Sequence, residues 1–533
     1  MLAGDNGSKR NVQHCLVDDV SKVHDETQRE LLSRSVTDYI LYFPALAVSG
    51  LMGLVTVAVL SKLFSPAEYG HYTLALSTLL LLSMVTGLWL RSSVLRLLPQ
   101  YVAGNQVDAF VGTLLGAGTF FAVAVVVLYA LALPLFKHGL DQELYRLLWL
   151  VAPGVPILTI FTVLQESHRI QGRSALYSSL ILLRVLGGFL VGLFLTVVFD
   201  LGPAGMLLGL VGVVAGAVGG HVVVAGRRLI KRAWSLRWSS AVLRDMLAYT
   251  LPIVGLNLAS TVLAVSDRYL IEAYLSSYDL GIYSVSYSIA EGGMRLIANT
   301  FLVAAEPTIF NSWVKYGPQT AFAFIERLFR YYIMLALPAL LGISLLRHEI
   351  VTLFSTSEYA AGSVVVVYVS LALFLHGYSL IVGTVFDATK RTMIPFMTFV
   401  IAGLLNVVLN LLLLPRFGYM AAAWSTCAGY GALLALNVVA ARRIARLRLV
   451  GSYLWKVGVA SLGMAIFVVV VQRLLAPSAV DLMVTIVGAA VVYFVLTLAV
   501  GGLMPEERHA LRARIKGAWI RFRRPQFVRN RPA

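Results

Sequence analysis

Six charged side chains fall inside otherwise apolar stretches of this chain: Arg184, Asp267, Arg268, Glu272, Glu291 and Arg295. A charge held at the centre of a bilayer costs roughly 3 kcal/mol on insertion scales, so each needs a partner or a task. Arg268 and Glu272 are four residues apart, as are Glu291 and Arg295. That spacing puts each pair on one helical face, where the charges can neutralise each other. A guanidinium is permanently charged and its planar fork matches phosphate oxygens bidentately. Arg184, Arg268 and Arg295 are therefore candidates for holding a phosphate-bearing ligand in a cavity. Asp267 and Glu291 are candidates for ion coupling, because a buried carboxylate can take up a proton or a sodium ion. The competing reading is structural: ion pairs that lock the seventh and eighth helices together. Arg91 and Arg96 read as ordinary basic residues near a membrane surface, placed where they could also meet an anion at a cavity mouth.

The elements that must position these residues follow from composition. The 533 residues are 59% hydrophobic and 13% charged, with a mean hydropathy of +0.82. An ordinary soluble chain is about 25% charged. The apolar residues gather into fourteen continuous runs, at about 39–62, 69–90, 110–136, 145–165, 174–199, 203–225, 249–275, 281–305, 328–347, 361–386, 392–414, 419–441, 453–475 and 482–504. Runs of about 20 residues match helices crossing a hydrocarbon core of about 30 Å. Continuous rather than alternating apolarity excludes a barrel. The expected fold class is an all-α polytopic membrane protein of about 14 transmembrane helices.

Basic residues are distributed unevenly. Arg227, Arg228, Lys231, Arg232, Arg237 and Arg244 follow the sixth run, and Arg442, Arg443, Arg446, Arg448 and Lys456 follow the twelfth. Arg508, Arg512, Arg514, Lys516, Arg521, Arg523, Arg524, Arg529 and Arg531 fill the tail. The alternate loops carry only Lys62, Lys137, Arg146, Arg347, Arg416 and Arg473. The positive-inside rule then places both termini in the cytoplasm. It also accounts for the net charge of +17 without nucleic acid as a partner. Leu16, Val20, Val23 and Leu31 could share one face of a helix before the first run, as could Leu511, Ile515, Trp519 and Phe522 in the tail. Such basic, amphipathic segments suit an anionic lipid surface. Cys15 and Cys427 lie in unlike surroundings and give no disulfide framework, and residues 1–38 lack the apolar core of a cleavable leader.

The chain repeats itself. Gly70-His71-Tyr72 closes the first loop and Gly281-Ile282-Tyr283 closes the seventh, with glycines 211 residues apart. Gly202 between the fifth and sixth runs pairs with Gly418 between the eleventh and twelfth, 216 apart. Pro44 opens the first run and Pro252 sits early in the seventh. Two anchors at nearly one offset argue for two parallel six-helix repeats, forming N- and C-lobes, plus two extra C-terminal helices. The expected organisation is an amphipathic segment (1–38), an N-lobe (39–226), a basic linker (227–248), a C-lobe (249–441), helices thirteen and fourteen (442–504) and a basic tail (505–533). Gly205, Gly209, Gly212, Gly216 and Gly220 mark a close-packing face on the sixth helix. Pro44, Pro153, Pro156, Pro252, Pro338 and Pro395 are expected to kink helices.

Several stretches carry a family resemblance. They are Leu60 to Phe64 running on to Tyr72; Tyr249-Thr250-Leu251-Pro252 followed by Asp267-Arg268-Tyr269-Leu270-Ile271; and Asn406-Val407-Val408-Leu409-Asn410 with Pro415 and Gly418. In this order and spacing the chain resembles the polysaccharide (O-antigen, Wzx-type) flippases of the multidrug/oligosaccharidyl-lipid/polysaccharide (MOP) exporter superfamily. The resemblance implies a V-shaped pair of lobes that moves a polyprenyl-diphosphate-linked saccharide across the cytoplasmic membrane by alternating access. It implies membrane lipids, the lipid-linked sugar, and polysaccharide polymerases or glycosyltransferases as partners, and no cofactor. In that setting Arg184, Arg268 and Arg295 would meet the diphosphate.

Two other functions compete. A drug or cation exporter of the same superfamily would favour an acidic, aromatic cavity, whereas three embedded arginines here balance Asp267, Glu272 and Glu291. An enzyme acting on the lipid carrier would need acid, base or metal groups at the outer face. The outward loops offer only His138, Asp141, Glu143, His348, Glu349 and Glu358, with no convincing metal spacing, and the chain has no P-loop.

Overall fold

In the computed structural model of the chain, residues 44–45, 47–233, 237–445, 451–474 and 478–502 are described. The stretches around Leu16–Leu31 and Leu511–Phe522, together with Cys15, Arg446 and Arg448, lie outside the described residues, as do the side chains of Arg227, Arg228, Lys231 and Arg232.

Among the described residues, fourteen long helices follow in order. They are α1 (Ala47–Leu63), α2 (Pro66–Ala103), α3 (Val107–Ala132), α4 (Gln142–Ile170), α5 (Ser174–Val198), α6 (Gly202–Ala233) and α7 (Ser240–Tyr274). Then come α8 (Ser277–Tyr316), α9 (Pro318–Leu345), α10 (Ser363–Ala388), α11 (Met393–Phe417), α12 (Met420–Arg442), α13 (Gly451–Leu474) and α14 (Ala479–Ala499). A two-turn helix, Arg347–Phe354, precedes α10. No strand occurs among the described residues. Twelve of the helices are long and apolar enough to cross a membrane. The other two are α1, whose described part is short, and α8. With 40 residues α8 is long enough, but Ser284, Ser286, Ser288, Glu291 and Arg295 make it too polar to face lipid throughout. The chain is a multi-pass membrane protein.

Local sequence sets the helix starts. Ser65 and Glu68 form a capping box at the head of α2: the Ser65 amide donates to Glu68 Oε2 at 2.8 Å, and the Glu68 amide donates to Ser65 Oγ at 3.4 Å. Asp141 caps α4 by accepting from the Gln142 amide. Ser276 caps α8 through the Asp279 amide. Gly202 and Gly418, the matched glycines of the two halves, both turn through the left-handed region, at φ +51° and +64°. Only glycine does this without strain.

The chain divides into two compact units. The first holds the described residues up to Thr56 and those of His71–Leu258. Its core packs Trp89, Leu90, Val94 and Leu97 of α2 on Phe110 and Leu114 of α3 and Met246 of α7. Thr86 and Thr159 hydrogen-bond at 2.5 Å between α2 and α4. Of the glycine ladder on α6, Gly205 and Gly209 press on the α5 backbone at Thr196 and Gly192. Gly212, Gly216 and Gly220 face open space, so the close-packing face is only half as long as the spacing suggests.

The second unit holds Val57–Gly70 and the described residues from Ala259 onward. Here the two Gly-x-Tyr loops meet. A side chain on Gly70 would strike the Ser277 carbonyl, and one on Gly281 would strike the Pro66 carbonyl. The repeated glycines are thus needed by a backbone crossing of the helix starts. Tyr359 seals the crossing, donating to the Phe64 carbonyl at 2.9 Å. Helices α13 and α14 pack on α9, with Tyr493 donating to the Met334 carbonyl at 2.6 Å.

Candidate functional site

Each unit buries a distinct polar cluster. In the second unit the cluster forms around Asp267 of α7, which is 1% exposed. Its Oδ1 accepts from the Arg268 amide at 2.8 Å. Its Oδ2 accepts from the hydroxyl of Tyr283, the tyrosine of the second Gly-x-Tyr loop. The Thr426 hydroxyl of α12 lies within hydrogen-bonding reach of the same carboxyl group. Beside it runs a chain of buried amides: Ser266 Oγ donates to Asn406 Oδ1 at 3.1 Å, and Asn410 Nδ2 donates to the same oxygen at 3.2 Å. Asn406 and Asn410 are four residues apart on α11, so both point to one side. Asn410 Oδ1 has no hydrogen-bond partner. Four helices therefore deliver carboxylate, amide and hydroxyl oxygens to one dry spot. Oxygen donors of this kind suit a hard cation, and the carboxylate suits a proton.

Arg268 is drawn into this network. Its guanidinium lies 5.4 Å from the Tyr287 ring centroid, with Asp267 and Glu291 as charged neighbours. Glu272 Oε1 accepts from Ser277 Oγ at 2.7 Å. Arg295 pairs with Glu291 at 2.8 Å, the i,i+4 contact expected from spacing. Its side chain stays 56% exposed, with His376 and Tyr430 nearby. The His376 and Tyr430 rings stack at 4.5 Å. Nothing near His376 on α10 marks it in the sequence. The one available signal was an imidazole inside an apolar run.

In the first unit Arg184 stands on a π-helical turn, Leu183–Gly187, that interrupts α5. Such turns widen a helix and are frequent at functional sites. Arg91 and Tyr177 are its neighbours. Arg91 Nε lies 2.7 Å from Glu166 Oε1, and Arg169 lies 3.6 Å from Glu166 Oε2. Arg169 also stands over the Tyr177 ring at 5.8 Å. Two guanidinium groups, Arg91 and Arg169, thus share one carboxylate that is 3% exposed, and Arg184 neighbours Arg91. Arg91 is part of this cluster, which spacing alone did not reveal because 93 residues separate it from Arg184.

The second unit also contains an apolar cavity of about 570 Å³. Met334, Pro338 and Gly342 of α9, Met464 and Val468 of α13, and Ala489 of α14 line it.

No curated protein matches the chain in sequence. Among solved structures the chain is similar to the lipid II flippase MurJ in an inward closed conformation. The TM-score is 0.69 at 15% identity, covering 86% of this chain and 98% of that one. It is also similar to a multidrug resistance MATE family transporter of the MOP superfamily. The inward-facing form gives a TM-score of 0.60 at 13% identity, covering 76% and 96% of the two chains. An outward-facing form gives 0.53 at 14% identity, covering 78% and 96%. At these identities the likeness establishes the fold. The expected all-α polytopic fold class is therefore the observed one. Residues 59–364, more than half of the chain, match the sequence pattern of polysaccharide biosynthesis proteins, and the chain belongs to that family.

Proposed function

We propose that this protein is a flippase that carries a polyprenyl-diphosphate-linked saccharide across the cytoplasmic membrane by alternating access, for surface polysaccharide assembly. The observation that carries the reading is Arg184 on its π turn beside Arg91, with Arg169 close by. A diphosphate is a compact dianion, and several planar guanidinium forks bind it far better than a neutral solute. Glu166 holds Arg91 and Arg169 in place while leaving the group a net positive charge.

Two lobes, 39–226 and 249–441, would alternate access, and both termini would face the cytoplasm. Asp267 is the ion-coupling group in this reading, with Asn406, Asn410 and Thr426 completing an oxygen set for sodium or surrounding a proton site. Glu291 serves Arg295 rather than the coupling ion. Of the remaining arginines, Arg295 is accessible enough to meet substrate, and Arg268 holds the Asp267 network together.

The test replaces Arg184 with alanine in cells that make a surface polysaccharide. At normal protein levels, surface polysaccharide should disappear and lipid-linked saccharide should accumulate on the cytoplasmic side. Unchanged polysaccharide in both Arg184→Ala and Arg91→Ala would overturn the assignment of this cluster.

A further inference from the structure

His71 is the middle residue of the first Gly-x-Tyr loop and the sixth residue of α2. It is 3% exposed. Its Nε2 lies 3.3 Å from Asp141 Oδ2, and its Nδ1 lies 3.4 Å from Glu143 Oε2. Neither ring nitrogen has a hydrogen bond. Asp141 and Glu143 flank the start of α4, and their side chains are 60% and 45% exposed. All three residues belong to the first unit. The Lys and Arg distribution reads this face as external.

A neutral imidazole carries one N–H and one lone pair. One ring nitrogen therefore keeps a buried lone pair that meets no donor, beside two carboxylates. A cation shared by that lone pair and the carboxylates would satisfy all three. The three side chains each offer one ligand atom, and these atoms lie within 4.8 Å of one another. Asp141 Oδ1 is already occupied, accepting from the Gln142 amide at 2.9 Å. That bond orients the carboxylate and leaves Oδ2 for the shared cation, as supporting hydrogen bonds do in metal sites. The imidazole is fixed by burial, and the carboxylates are open to water, so an ion can reach the site and keep water ligands.

The other half of the chain argues against a purely structural role. At the matching position it carries Ile282, whose carbonyl and methyl group pack on Gly362. The buried imidazole is therefore particular to the first half.

We infer that His71, Asp141 and Glu143 bind a divalent transition metal ion of the zinc class at the outer face of the first unit. One imidazole nitrogen with two carboxylate oxygens selects zinc-like ions over magnesium and calcium, which prefer all-oxygen sites. The ion ties the start of α2 to the start of α4.

The experiment uses the purified full-length chain with any affinity tag removed, and Zn²⁺ alone as the probe. The wild type should retain one equivalent after dialysis, and its Tm should rise on adding Zn²⁺. In His71→Gln and Glu143→Gln the affinity should fall at least about tenfold, and the Tm rise should vanish. Glu143 is surface-exposed, so its variant stays informative if His71→Gln fails to fold. Asp141→Asn preserves the helix cap and should weaken zinc as well. Absence of retained zinc in the wild type overturns the inference. So does retention unchanged in both His71→Gln and Glu143→Gln. Equal binding of Mg²⁺ and Zn²⁺ overturns the part assigned to the imidazole. A Tm rise produced by mild acid instead of zinc, and lost in His71→Gln, replaces the metal by an imidazolium clasp.

Discussion

The two units treat charge in opposite ways. In the second, positive and negative groups are interleaved: Asp267 next to Arg268, Glu291 at 2.8 Å from Arg295, and tyrosine, asparagine and threonine around them. In the first, Arg91 and Arg169 share Glu166, and Arg184 stands beside Arg91. A balanced network holds itself together and leaves one group, Asp267, whose protonation or ion binding would unbalance it. An unbalanced cationic cluster instead leaves positive field for a ligand to neutralise. The difference separates a place suited to coupling from a place suited to an anion.

This contrast can be broken by substitution. The largest effect is expected for Arg184→Ala, with loss of saccharide export at unchanged protein level, read by surface polysaccharide and by carrier-linked intermediate. Arg184→Lys should rescue it only in part, because a point charge does not reproduce a planar fork. Asp267→Asn should remove the dependence of transport on an ion gradient while the protein still reaches the membrane. Flux into vesicles with and without imposed sodium and proton gradients measures this, and retained gradient dependence would remove Asp267 from the coupling role. Arg268→Gln strips the balancing cation from buried Asp267, and breaking a buried pair of this kind costs about 3 kcal/mol. Its signature is a lowered Tm in detergent with substrate preference unchanged. Arg295→Ala should be mildest, a few-fold loss of transport, since its pair with Glu291 is half-exposed and such pairs contribute about 0.5 kcal/mol. Should Arg295→Ala prove as damaging as Arg184→Ala, the anion site would not be confined to the first unit.

Much of the architecture was legible in the sequence because the bilayer simplifies the problem. Runs of about 20 apolar residues can only be helices there, and the fourteen runs appear as fourteen helices. The matched glycines were legible for a backbone reason: Gly202 and Gly418 need a positive φ, and Gly70 and Gly281 need room for a crossing carbonyl. The pair Glu291–Arg295 follows from helical spacing, since residues four apart share a face whatever surrounds them.

Contacts between helices were not legible, because apolar surfaces specify burial without specifying a partner. The sequence could name Arg184 as an embedded charge, but only folding set it on a π turn next to Arg91. It could note Asn406 and Asn410 as a motif, but only the packing of α7, α11 and α12 turned them toward Asp267 and Thr426. Asp141 and Glu143 read as loop carboxylates without metal spacing until His71, 70 residues earlier than Asp141, was folded against them. Periodicity and hydropathy are local properties, and they fixed how many helices the chain forms. Which polar atoms meet depends on helix rotation and close packing, and the tertiary structure alone decided that.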